Sequence, residues 1–126
     1  MILSELDKGK YLRGLLVLSK KDRQLTMEEK NIVKEVGSYL GYDAEFIQES
    51  IQNILSNKYV KDEPVVFSSE EAAKHFINDG LKLSFCDTEN PVEELKYITK
   101  VAELNKIDSK WFSSEISRHA KHSKIN

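Results

Sequence analysis

The sequence predicts an all-α fold: about six helices arranged as two pseudo-symmetric three-helix halves. Five glycines and two prolines in 126 residues are too few turn formers for a sandwich or barrel of many short strands. Five stretches open with helix-capping residues and continue with apolar residues at helical spacing. The chain also matches itself when shifted by 65 residues without gaps.

The first helix is predicted over Ile2 to Ser19, with the stripe Leu3, Leu6, Leu12, Leu15, Leu16 and Val17. Gly9 and Gly14 weaken it in isolation, so packing must hold it. Thr26 and Glu29 form a capping-box pattern before Ile32, Val33, Val36, Tyr39 and Leu40. The Thr26 hydroxyl accepts from the amide three residues on, while Glu29 reaches back to the cap amide. Asp43 is an N-cap for a third helix carrying Phe46, Ile47, Ile51, Ile54 and Leu55. A linker at about 57–67 follows, in which Pro64 biases Glu63 away from helix and Phe67 reads as a hydrophobic staple onto Ala72. Ser68 with Glu71 repeats the capping box before Ala72, Ala73, Phe76, Ile77 and Leu81. Asn90, with Pro91 at the first helical position and Glu93 behind it, opens the fifth helix, which carries Leu95, Ile98, Val101 and Ala102. Asp108 caps the sixth, with Trp111, Phe112 and Ile116. Val36, Ile51, Phe76, Ile98, Val101 and Phe112 are the predicted core, with Trp111 at least partly buried.

The repeat aligns residues 11–47 with 76–112, with eight identities in 37 positions. The matches fall on caps, loop acids and the core stripe together: Leu16/Leu81, Leu18/Leu83, Ser19/Ser84, Asp22/Asp87, Glu28/Glu93, Glu29/Glu94, Val36/Val101 and Asp43/Asp108. Residues 1–126 therefore read as one domain of two related halves, large enough to bury about two-thirds of its unfolded surface.

Charge and cysteine content narrow the function. The net charge of −2 supplies no global basic field for nucleic acid or anionic lipid. The longest apolar run, Leu15 to Leu18, is far short of a membrane span. The single cysteine, Cys86, excludes an internal disulfide framework and fits a reducing, cytoplasmic compartment.

Two acidic loops are the candidate site. Asp22, Gln24, Glu28 and Glu29, mirrored by Asp87, Glu89, Glu93 and Glu94, offer oxygen ligands suited to Ca²⁺, Mg²⁺ or Mn²⁺. Acids in first helical turns also complement the helix dipole, and that reading accounts for most of them. An EF-hand is excluded, because twelve-residue loops from Asp22 or Asp87 would end at Val33 or Ile98. His119 and His122 lie one turn apart, but Arg118, Lys121 and Lys124 beside them disfavour a cation, and a solvated basic tail is expected. His75 is expected beside the apolar stripe of its helix. Asp87 would raise the pKa of Cys86, which argues against a catalytic thiolate. Lys20, Lys21 and Arg23 lack interleaved aromatic residues for base stacking. No nucleophile elbow, phosphate loop or zinc-ligand set occurs.

The segment Asp22-Arg-Gln-Leu-Thr-Met-Glu28-Glu29 and its second copy, Asp87-Thr-Glu-Asn-Pro-Val-Glu93-Glu94, resemble the loop-and-cap signature of TerB-like (tellurite-resistance type) domains: small residue, Asp, Gly, acid, apolar, Ser/Thr, Pro, Glu, Glu. The resemblance covers roughly Tyr11 to Phe112, and Arg23 and Thr88 stand where the family pattern has glycine. It implies a bacterial, cytoplasmic, all-helical module linked to stress response or membrane-associated complexes, with acidic loops as metal-binding candidates. It implies no established catalytic reaction. The expectation is a non-enzymatic binding or scaffold module with a protein partner, in which Asp22, Glu28, Glu29, Asp87, Glu93 and Glu94 hold a divalent cation or a basic group. The alternatives are a small metal-dependent enzyme or metal-sequestering protein, and a self-associating domain such as a homodimer.

Overall fold

A computed structural model describes residues 3–21, 25–56 and 61–125, the last four by backbone alone. It holds six helices: α1 (Glu5–Ser19), α2 (Met27–Tyr39), α3 (Ala44–Ser56), α4 (Glu70–Phe85), α5 (Val92–Leu104) and α6 (Ser109–Ile125). No strand occurs among the described residues. The all-α prediction holds, and the helix starts follow the repeat. α1, α2 and α3 begin at residues 5, 27 and 44, and α4, α5 and α6 at 70, 92 and 109, each 65 residues on.

Local chemistry sets most of these boundaries. Thr26 caps α2 with the complete box: its hydroxyl accepts from the Glu29 amide at 3.2 Å, and its own amide donates to Glu29 Oε1 at 3.1 Å. Asp43 accepts from the Glu45 amide at 2.9 Å and Asp108 from the Trp111 amide at 3.0 Å. α2 and α5 also end alike. Gly41 and Lys106 have φ of 95° and 57°, and the next amides, Tyr42 and Ile107, reach back to Gly37 and Ala102 at 3.0 Å each. Both ends are Schellman motifs, which need a left-handed residue at that position.

Two predicted caps and one predicted helix start shift. α1 starts at Glu5 behind Ser4, whose hydroxyl accepts from the Asp7 amide at 3.1 Å, rather than at Ile2. α4 is capped by Ser69, which accepts from the Ala72 amide at 3.1 Å, because Ser68 is engaged elsewhere. Its amide and hydroxyl both donate to Asp7, a carboxylate only 2% exposed that needs donors once buried. Pro91 rather than Asn90 occupies the cap of α5, with no side-chain cap bond, while the Asn90 amide turns back to Thr88 Oγ1 at 3.2 Å.

α1 and α4 form the centre. α1 packs on α2, α3, α4 and α5; α4 packs on α1, α2, α5 and α6. From Tyr11 to Ser19 every residue of α1 except Arg13 is buried. Leu6, predicted in the α1 stripe, is 70% exposed, because it lies roughly opposite Tyr11 in the first turns, which remain partly open. Asn105 clamps the linker: its carboxamide accepts from the Phe67 amide at 2.8 Å and donates to the Val65 carbonyl at 2.9 Å. Phe67 then packs its ring on Tyr11 and Phe76, 5.8 and 5.3 Å away, as a core plug rather than only a staple.

Val36, Ile51, Phe76, Ile98 and Val101 are buried as predicted, whereas Phe112 is only half-buried. Its helix rests on α4 but makes no contact with α5 comparable to that of α3 with α2. Tyr39, Phe46 and Leu55, predicted on apolar stripes, are exposed at the margins of α2 and α3.

Candidate functional site

Three of the predicted site residues, Asp87, Glu93 and Glu94, collect where α5 begins, beside the approach to α2. A shallow depression of about 450 Å³ is lined from the first half by Lys21 and Thr26, and from the second by Asp87, Thr88, Asn90 and the first residues of α5. Cys86 reports the same convergence. Its thiol is pushed up to about 12, first by burial and then by Asp87, Glu29 and Glu28, so carboxylates of both halves act on one sulfur. A thiol held that high is neutral at physiological pH and is no nucleophile.

The acids do not act as six equal ligands. Asp22 lies outside the described residues. Glu29 is 3% exposed and its Oε1 is occupied by the Thr26 amide and hydroxyl. Glu94, at the matching position of α5, is buried as well, at 7%. Glu93 is exposed and pairs with Lys96 at 3.2 Å. Glu28 and Asp87 are exposed. Among the described residues no three His, Cys, Asp or Glu side chains gather as a metal-holding group. Lys21 brings a positive charge to the depression: its ammonium pairs with Asp62 and lies 5.3 Å from the Tyr97 ring centroid.

Elsewhere the structure corrects two sequence readings. His119 belongs to no solvated tail, since it is half-buried and its Nε2 meets Asn78 Oδ1 of α4 at 2.8 Å, beside Arg118 at 2.7 Å. The side chain of His122 lies outside the described residues. His75 is exposed, with its ring parallel to that of Tyr39 at 6.4 Å. The sequence reading also missed Asp79, whose carboxylate accepts from the hydroxyl of the buried Tyr11. The available signal was a charged residue three positions after Phe76, near the apolar stripe of α4.

Fold and site together define an all-helical, six-helix module with an acidic edge and no metal-holding group among the described residues. The chain matches no family model, no curated protein and no solved structure. No helix among the described residues is long and apolar enough to cross a membrane.

Proposed function

We propose that this chain is a TerB-like helical binding or scaffold module with no reaction of its own, acting in a cytoplasmic, stress-related complex through its acidic edge. The observation that carries the proposal is the depression that Lys21 and Thr26 share with the exposed Asp87 and Glu93, with the exposed Glu28 also acting on the neighbouring Cys86. Exposed carboxylates with few internal partners favour a basic group on a protein partner. The Lys21 ammonium lining the same depression, and the use of Glu29 in a cap, favour such a partner over Ca²⁺, Mg²⁺ or Mn²⁺.

Capture from a native lysate, comparing the natural chain with a Glu28→Lys, Asp87→Lys, Glu93→Lys variant, tests the edge. A partner retained by the natural chain and lost by the variant is the expected result, and equal capture by both overturns the proposal. Calorimetric titration with the three cations, on the natural chain and an Asp22→Ala, Asp87→Ala double variant, tests the cation version. Heat that appears only with the natural chain would replace the partner reading with a metal-binding one.

A further inference from the structure

α4 holds its neighbours in two different ways. Its seam with α1 contains an apolar junction, where Phe76 lies so close on Gly14 that a Cβ added there would stand 2.7 Å from the ring. α6 has no such seat. Among its described residues none is fully buried, and Trp111, Phe112, Ile116 and Ala120 are only half-covered. It packs on α4 and on no other helix to a similar extent. Its counterpart α3 packs on two helices and buries Ile47, Ile51 and Ile54.

Directional contacts tie α6 to a short stretch of α4. The Lys74 ammonium lies 5.1 Å from the Trp111 ring centroid. One turn further on, the Asn78 carboxamide oxygen accepts from Arg118 at 2.7 Å and meets His119 Nε2 at 2.8 Å. Ile77 and Leu81 each stand three residues beyond one of these contacts, on neighbouring positions of the helix surface. Both are wholly buried, so the ground beside the contacts is apolar.

What shapes α6 otherwise is its own. Asp108 caps it from within the turn, accepting from the Trp111 amide at 3.0 Å, and Glu115 pairs with Arg118 inside the helix at 2.6 Å. The chain just before it is anchored. Asn105 bonds the Phe67 amide and the Val65 and Val101 carbonyls, which fixes the end of α5 to the linker. Lys106 then takes the left-handed conformation, and only Ile107 and Asp108 separate it from α6. α6 can therefore leave α4 with its cap and its internal ion pair intact, and without disturbing α5.

We infer that α6 is a hinged cover on α4, opening as one unit about residues 106–108 while the other five helices stay packed. Asn78 is its catch. Opening gives up only half-buried contacts, which places it well below global unfolding in free energy. It bares the apolar face of α4 beside Ile77 and Leu81. The cover stands whatever binds at the acidic edge.

Native-state hydrogen exchange of the full chain in low urea tests the cover. Amides from Phe112 to Ala120 are expected to share one opening free energy and to be at least about tenfold less protected than those of α4. Their exchange should respond weakly to urea, because little surface is exposed when α6 leaves. Amides of α6 that follow the urea dependence of α4 overturn the cover, since the helix then leaves only with the whole fold. A protection that declines steadily toward Ile125 also overturns it, being end fraying and not the opening of a unit. Trp111, the one tryptophan of the chain, gives an independent reading. Its fluorescence should change at lower urea than the helical circular dichroism of the whole chain, and coincident transitions overturn the proposal. Asn78→Ala tests the catch. Protection in α6 should fall about tenfold while that of α1 and α2 stays unchanged; an equal loss in every helix, or no loss in α6, overturns the assignment.

Discussion

Ile51 and Ile116 occupy the same place in the third helix of each half, 65 positions apart, yet Ile51 is fully enclosed and Ile116 only half-buried. Both helices begin on an aspartate cap, at Asp43 and Asp108. The difference lies in what each helix packs against. α3 packs on both α1 and α2, whereas α6 packs on α4 without a comparable hold on α5. One pair of positions differs in the direction of this divergence. Gly37 of α2 lets Ile47 approach so closely that a Cβ there would lie 2.4 Å from its Cδ1. The corresponding pair is Ala102 and Phe112, where the methyl is present and the larger ring cannot seat as deeply. Cap chemistry fixes where a helix starts; the residue facing it fixes how deeply it is buried.

The largest effect is expected at the apolar junction of the central seam. Phe76 is wholly buried against Gly14, Tyr11 and Phe67. Phe76→Ala should cost about 3–5 kcal/mol by denaturant unfolding, because the space it leaves lies between two packed helices and cannot fully collapse. An unchanged midpoint would mean that the seam is not the core of the fold.

The third helices come next. Ile51→Ala should cost about 2–5 kcal/mol, and Ile116→Ala less than half as much, since its side chain already meets water on one side. Equal losses in the two variants, read from urea midpoints, would show that α6 is held as firmly as α3. Gly37→Ala tests the stated cause. It should destabilise by about 1–3 kcal/mol, since the new methyl must displace Ile47 and push α3 outward. A neutral Gly37→Ala would mean that the close seat of Ile47 on α2 is not what holds α3 more deeply than α6.

What could be read from sequence follows the range of the interactions. Thr26, Asp43 and Asp108 act on amides within three residues, and their helix starts were legible. Ser68 and Asn90 were each placed one residue from the true cap. In the first case the competing partner, Asp7, lies 61 residues away. The Tyr11–Asp79 pair, 68 residues apart, left one trace, an acid near an apolar stripe. The acidic loops were visible as a repeated motif, and the approach of Lys21 and Thr26 to Asp87 and Glu93 was not, because it depends on how α1 meets α4. Glu29 was legible both as a cap and as a ligand candidate, and the structure spends its carboxylate on the cap. Phe112 was misplaced as core because its apolar spacing matches that of Ile47, while the glycine that admits Ile47 has no counterpart.

The smallest effect distinguishes the two Schellman turns. Gly41 and Lys106 hold the same left-handed position after α2 and α5, but only glycine adopts that backbone without a clash between Cβ and the neighbouring carbonyl. The strain at Lys106 is of order 1 kcal/mol. Glycine there would relieve it and would give back part through the greater freedom of the unfolded chain. Lys106→Gly should therefore stabilise by up to about 1 kcal/mol. Gly41→Ala should destabilise by about the same amount, since a Cβ there meets no neighbouring atom within 4 Å and only the backbone objects. Paired thermal or urea midpoints of the two variants read the effect directly. If both substitutions moved stability in the same direction, the two turns would not be equivalent, and the repeat would stop short of the helix ends.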